Sequence, residues 1–187
     1  MYSEIVILAM LHKQPRHGYD IKKVVERALG GAVSIGNKTL YPTLKHFEDI
    51  GAVEREIVAQ EGKPNRHLYH LTERGVELLQ VYLRDFPADL AANKAEFFTR
   101  VAFFDLLEPE ARQEILKTRL AHLQGVLDYL LLLQQKPGGD RLTLYPQRVL
   151  AFQIQQTRHE YQWLADWLEE MRASMLTEEE KDERNIS

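Results

Sequence analysis

A chain of 187 residues, 44% of them hydrophobic and none of them cysteine, has room for one or two folded domains. It excludes disulfides, thiol nucleophiles and cysteine-based metal sites. The net charge of −4 argues weakly against a nucleic-acid partner, but the charge is unevenly spread. Residues 1–75 hold 11 Lys+Arg against 9 Asp+Glu and five of the seven histidines, and residues 76–187 carry a net −6.

The opening MYSEIVILAMLHKQP has an apolar core but no basic leader and no small-residue cleavage site. The longest unbroken apolar run, 5–11, is far too short to span a bilayer. A cytoplasmic protein without a membrane partner is the expectation.

Residues 3–11 place Ile5, Leu8 and Leu11 on one helical face, and Gln14-Pro15-Arg16 breaks the pattern. A second helix is predicted over 17–29, with Ile21, Val24, Val25 and Ala28 apolar, ending at Gly30-Gly31. The third lies in NKTLYPTLKHFEDIG, 37–51, where Leu40, Leu44 and Phe47 recur at helical spacing and Gly51 is a stop. Pro42 is tolerated only near a helix start, so the helix is expected to begin at 37–39, where Asn37 and Thr39 are each a competent cap. Leu40, Leu44 and Phe47 then face inward. Lys38, Tyr41, Pro42 and Lys45 fall together on the other side.

The period then changes. Residues 53–59 and 66–71 alternate as strands, with Val53, Ile57, Tyr69 and Leu71 apolar, around the polar tip Gln60-Glu61-Gly62-Lys63-Pro64-Asn65. Thr72 can cap a fourth helix carrying Val76, Leu79 and Leu83. Helix, helix, helix, hairpin is the order of a winged helix-turn-helix. In that motif the start of the second helix of the pair meets base edges, and a positive helix end suits phosphates.

Beyond Pro87 the chain reads as almost wholly helical. Phe97, Val101 and Phe104 line one helix ending near Glu108-Pro109. Leu116, Leu120, Leu123, Leu127 and Leu130 line a second, broken at Lys136-Pro137-Gly138-Gly139-Asp140. Leu150, Ile154, Thr157, Tyr161, Leu164, Leu168, Met171 and Met175 line a third. Alternating spacings of four and three on two helices joined by a short loop describe an antiparallel pair. The expected fold is therefore mainly α with a small β-hairpin. It comprises a winged helix-turn-helix over 1–86, a helical dimerisation or effector domain over 87–176, and a charged tail, 177–187, expected to be disordered.

Four blocks carry a family resemblance: His17-Gly18-Tyr19-Asp20-Ile21, Thr39-Leu40-Tyr41-Pro42-Thr43-Leu44, Ile50-Gly51-Ala52-Val53 and Tyr69-His70-Leu71-Thr72-Glu73-Arg74-Gly75. In order and spacing they resemble the PadR family of bacterial transcriptional regulators. The rear half resembles, more loosely, the long helical domain of members similar to virulence-gene activators. The resemblance implies operator DNA bound by the winged helix, a homodimer made by the C-terminal helices, and a repressor released by a small aromatic or hydrophobic effector.

The DNA contacts expected are Asn37, Lys38, Thr39, Tyr41, Pro42 and Lys45 in the major groove, with Lys63, Asn65 and Arg66 at the flanking backbone or minor groove. Dimer contacts are expected from Leu120, Leu123, Leu127, Leu150, Ile154, Tyr161, Leu164 and Leu168. Trp163 and Trp167 share a helix face; they either pack in the dimer core or, with Phe97, Phe98 and Phe152, line an effector pocket. His17 is expected to cap or pack, and Tyr19 to be core.

His67 and His70 are three apart on a strand and point to opposite faces, so no metal site is expected. No nucleophile, phosphate loop or paired-carboxylate arrangement stands out, so neither an enzyme nor a cofactor is expected. The alternative in a different class is a winged-helix adaptor that binds protein; the cations of the third helix and the hairpin tip argue against it.

Overall fold

The computed structural model describes residues 1–28, 35–59, 66–135 and 143–186, with side chains over 1–23, 35–59, 66–135 and 143–174. The chain divides into two compact units, Met1–Glu108 and Pro109–Ser187.

In the first unit, α1 (Tyr2–Lys13) is buried from Ile5 through Leu11 without a break. The sequence leads one to expect a single apolar face, but the other helices and β3 pack on α1 from every side, and a helix apolar all round is a central one. A two-residue strand, β1 (Arg16–His17), leads directly into α2 (Gly18–Ala28). α3 (Asn37–Asp49) follows and buries Leu40, Leu44 and Phe47.

β2 (Val53–Val58) and β3 (Arg66–Leu71) form the expected hairpin, in register from Val53 opposite Leu71 to Val58 opposite Arg66. β1 adds a third antiparallel strand on the far side of β3, giving the order β1-β3-β2. Two residues are too few to show a period, so this strand was invisible in the sequence. Val53 is buried but Ile57 is exposed, because the outer part of the hairpin leaves the core.

Three residues join α3, β2 and α4 (Glu73–Arg84). Gly51 adopts φ +73, a conformation that favours glycine, and turns the chain from α3 into β2. The Thr72 hydroxyl donates to the Gly51 carbonyl (2.8 Å) and accepts from the Gly75 N–H (3.1 Å), capping α4 as its sequence predicts. Gly75 lies so close to β2 that a Cβ there would stand 2.2 Å from the Ala52 carbonyl oxygen. α4 buries Leu79 and Leu83, whereas Val76 stays exposed.

The composition changes at Pro87, but the compact unit continues to Glu108. The single helix expected around Phe97, Val101 and Phe104 is a short α5 (Lys94–Val101) between 3₁₀ turns at Leu90–Ala92 and Phe104–Leu106. Its Arg100 is wholly buried. Arg100 donates to the carbonyls of Tyr82 (3.2 Å) and Asp85 (2.7 Å) at the end of α4, and to the Glu96 carboxylate (2.7 Å). The guanidinium also lies 5.0 Å from the Phe86 ring centroid. Glu96 in turn accepts the Tyr2 N–H at 2.8 Å. Carbonyls left over at a helix end are thus satisfied by a side chain from the next helix, which ties α5 to α1 and α4.

In the second unit, α6 (Pro109–Gln135) and α7 (Leu144–Ile186) pack side by side. Arg119 meets Glu160, while Leu130 borders Val149 and Leu150, so the two helices run antiparallel. Leu116, Leu123 and Leu127 are buried with Ile154, Leu164 and Leu168 along the seam. α7 continues to Ile186 through the charged stretch expected to be disordered. Glu, Lys and Arg are good helix formers, so that stretch carries helix propensity without an apolar face.

Candidate nucleic-acid interface

α3 begins at Asn37, within the range expected from sequence, but its cap is the residue before that range. Gly36 is the N-cap, without a side-chain bond, and its carbonyl accepts from Leu40 (2.9 Å). Pro42 is therefore the sixth residue of the helix, beyond the first turn where a missing N–H costs nothing, and the Lys38 carbonyl receives no backbone donor from it. The proline is nonetheless on the exposed side.

With Leu40, Leu44 and Phe47 sealed inward, Asn37, Lys38, Thr39, Tyr41, Pro42 and Lys45 are all exposed on the outer side of α3. Their cations differ. Lys45 donates to Asp49 at 2.6 Å in an exposed i,i+4 pair, and that bond holds its ammonium above the usual lysine range. Lys38 makes no ion pair among the described residues. Of the hairpin-tip residues, Lys63 and Asn65 lie outside the described residues; Arg66, at the start of β3, is exposed.

Beside the start of α3 lies a cleft of about 540 Å³. Its lining comes from His17, Gly18, Tyr19 and Asp20 at the entrance to α2, Tyr41 of α3, Arg55 of β2, and Arg66, His67 and Tyr69 of β3. Tyr41 is fixed from below: a Cβ on Gly18 would come within 3.0 Å of its ring. It is still 47% exposed, so it both braces against α2 and presents its edge to the outside.

One expectation about this region fails. Tyr19, expected in the core, is 69% exposed at the start of α2. His17, expected to cap or pack, lies in β1, where its Nδ1 donates to the His67 carbonyl across the strand pair at 2.9 Å. Arg55 was not singled out from sequence. Four successive residues of β2 are exposed, so alternation alone does not distinguish it. It reaches α3 through Glu48 at 3.2 Å. Tyr69 is buried, and burial pushes its hydroxyl pKa up.

The residues expected to make the dimer lie along α6 and α7. Leu123, Leu127, Ile154, Leu164 and Leu168 are buried between these two helices of one chain, and Leu120, Leu150 and Tyr161 are half-buried. The five buried side chains are covered by their own chain. Phe97 is fully buried in the first unit, against Phe86 (6.0 Å) and Phe98 (5.2 Å), so its ring serves that unit's core. Phe152 is exposed on α7. Trp163 and Trp167 stack obliquely, ring centroids 5.6 Å apart, with Asp166 and Glu170 beside them.

No cluster of three His, Asp or Glu residues suited to a metal occurs among the described residues, and none of their helices is long and apolar enough to cross a membrane.

Two family models match in succession. Residues 7–81 match the Transcriptional regulator PadR-like family, and residues 93–172 match the Virulence activator alpha C-term. The chain belongs to the PadR family of transcriptional regulators. Its two halves correspond to the long form of that family, and its members are not enzymes. Among curated proteins, the negative transcriptional regulator PadR of Bacillus subtilis (strain 168) is 28% identical over 124 residues, 66% of this chain and 68% of that one. Among solved structures, Bacillus subtilis PadR in complex with operator DNA is 22% identical, covering 91% of this chain and 99% of that chain with a TM-score of 0.46. A protein from Streptococcus mutans UA159 is 25% identical over 90% of this chain and 99% of its own, with a TM-score of 0.42.

Proposed function

We propose that this PadR-family regulator binds double-stranded operator DNA as a homodimer and acts as a repressor in the cytoplasm. The observation that carries the DNA contact is the two-sided build of α3. Its inner side is fully buried through Leu40, Leu44 and Phe47, while Asn37, Lys38, Thr39, Tyr41, Pro42 and Lys45 stand exposed at its N-terminal end. A helix held that rigidly can enter a major groove by its first turns. Arg66, with Lys63 and Asn65 of the hairpin tip, is assigned to the flanking backbone or minor groove.

The test is a salt titration. Lys38→Ala with Lys45→Ala should weaken binding to operator selected from random sequence, and should reduce the slope of log K against log[salt] by up to about 2. Equal slopes for the variant and the parent would remove both lysines from the interface. Lys45 contributes the smaller part, because Asp49 already partners it.

The dimer is assigned to the second unit. Since the α6–α7 seam is covered internally, the surface left for a second copy is the apolar one around the loop end: Tyr129, Leu132, Leu144, Tyr145, Val149 and Phe152, all more than half exposed. Small hydrophobic or aromatic effectors are assigned to the Trp163–Trp167 pair. Quenching of tryptophan fluorescence by planar aromatics, abolished by Trp163→Ala, is the expected sign.

A further inference from the structure

The exposed side of α3 ends on a charge that helix stability does not account for. Lys38, Lys45 and Asp49 follow one another at spacings of seven and four, so they form one outer stripe, with Tyr41 and Pro42 between the lysines. We propose that Asp49 is a specificity-determining residue: it withholds the Lys45 ammonium from backbone phosphates while leaving it able to donate to a base edge. This rests on the DNA-binding reading and deepens it, adding a residue that acts through Lys45.

The Lys45 ammonium donates to the Asp49 carboxylate at 2.6 Å, and both side chains are more than half exposed. Local stability gives no reason for this pair. Asp49 is the last residue of α3, at the negative end of the helix dipole, where a base is favoured and an acid is not. Base before acid at i,i+4 is also the weaker of the two orders, and an exposed pair adds little to a fold. The neighbouring acid differs. Glu48 ties α3 to β2 through Arg55 at 3.2 Å, whereas no ion pair of Asp49 reaches another element among the described residues.

The pair changes what Lys45 offers to a duplex. Attraction to phosphates depends on net charge and carries no sequence information, and Lys45 with Asp49 presents no net charge. An ammonium has three donors. Asp49 takes one and thereby restricts the direction of the other two, which remain for acceptors such as O6 and N7 of guanine in the major groove. Roughly 10 Å away, at seven residues of 1.5 Å rise, Lys38 makes no ion pair among the described residues. The first turn of α3 therefore carries an unconstrained cation, suited to a phosphate. The constrained one lies two turns further on and suits a base. The bond holds the Lys45 ammonium above the usual lysine range, so the ammonium stays charged at neutral pH.

The experiment measures binding of the full chain to operator selected from random sequence and to unrelated duplex, each across a range of salt. Asp49→Asn should tighten unrelated duplex roughly threefold to tenfold near 0.1 M salt. It should steepen that duplex's slope of log K against log[salt] by up to about 0.9, the size of one new phosphate contact. Operator should tighten less, so the preference for operator falls. Asp49→Glu, which keeps a carboxylate one turn from Lys45, should retain the parent's preference. In a Lys45→Ala background Asp49→Asn should alter neither duplex. An unchanged affinity and slope for unrelated duplex would overturn the proposal while the DNA reading stands. So would equal tightening of both duplexes, or an equal effect with and without Lys45, either of which would make Asp49 a general repeller of phosphate. Failure of the parent to bind any duplex would instead overturn the DNA reading itself.

Discussion

At the scale of single residues, two glycines do opposite jobs. Gly75 is a packing position: its Cβ would meet a backbone oxygen at 2.2 Å and Leu71 at 2.5 Å, neither of which can yield cheaply. Gly75→Ala should destabilise the first unit by about 1–3 kcal/mol, the usual cost of overpacking, despite the better helix propensity of alanine. Thermal melting checks it. Gly18 is a positioning residue for Tyr41. Its neighbour is a ring that can swing aside, so Gly18→Ala should leave the melting temperature within a few degrees. It should nonetheless reduce the preference for operator over unrelated duplex by roughly tenfold, the scale of one good base contact. In a Tyr41→Ala background the same change should have no further effect; an equal loss in both backgrounds would show that Gly18 acts elsewhere.

At the scale of elements, the sequence was legible wherever a pattern ran long enough. The seams of α6 and α7, the cap of α4 and the inward side of α3 follow directly from periodicity and capping chemistry. β1 did not show, nor did the division of the rear half. The buried Arg100 explains the latter: in sequence it is one charge on a short helix, and only its partners on α4 reveal that α5 packs with what precedes it. Removing it should be severe. Arg100→Met leaves Glu96 in the core with only the Met1 ammonium (3.2 Å) as a cation, and strands the carbonyls of Tyr82 and Asp85, so it should cost about 3–5 kcal/mol.

Acid acts on the same place. Burial would raise the Glu96 carboxyl, but the bonds from Arg100 and the Tyr2 N–H outweigh it and hold the pKa below the usual value of 4.5. A carboxylate whose folded pKa is depressed adds stability above its unfolded pKa and loses it as the pH falls through the folded one. The first unit should therefore weaken below about pH 4.5, and Glu96→Gln should flatten that dependence in denaturation measured across pH.

At the scale of the molecule, the candidate site was half legible. The exposed residues of α3 could be named from NKTLYPTLK because burial of Leu40 and Leu44 dictates what remains outside. The cleft could not, because it is built from five elements spread between residues 17 and 69, and because Tyr19 and Arg55 sit where local pattern says nothing about exposure. The assembly shows the same limit. Heptad spacing identifies a seam but not whether the second helix comes from the same chain or another, and here α6 and α7 supply both sides. Dimerisation should respond instead to Val149→Glu with Tyr145→Glu on the exposed surface of the second unit. Sedimentation should show monomer with helicity retained; an unchanged dimer would place the interface elsewhere.

The junction of Gly51, Thr72 and Gly75 has a mechanical consequence. The end of α3, the start of β2, the end of β3 and the start of α4 meet there within a few bonds. A rotation of α4 must then carry the base-reading helix and the hairpin root together, as one lever with a single pivot. Sequence drift is free to lengthen or recharge the chain between β2 and β3 at its far end. It cannot re-aim the helix and the hairpin independently without dismantling the pivot.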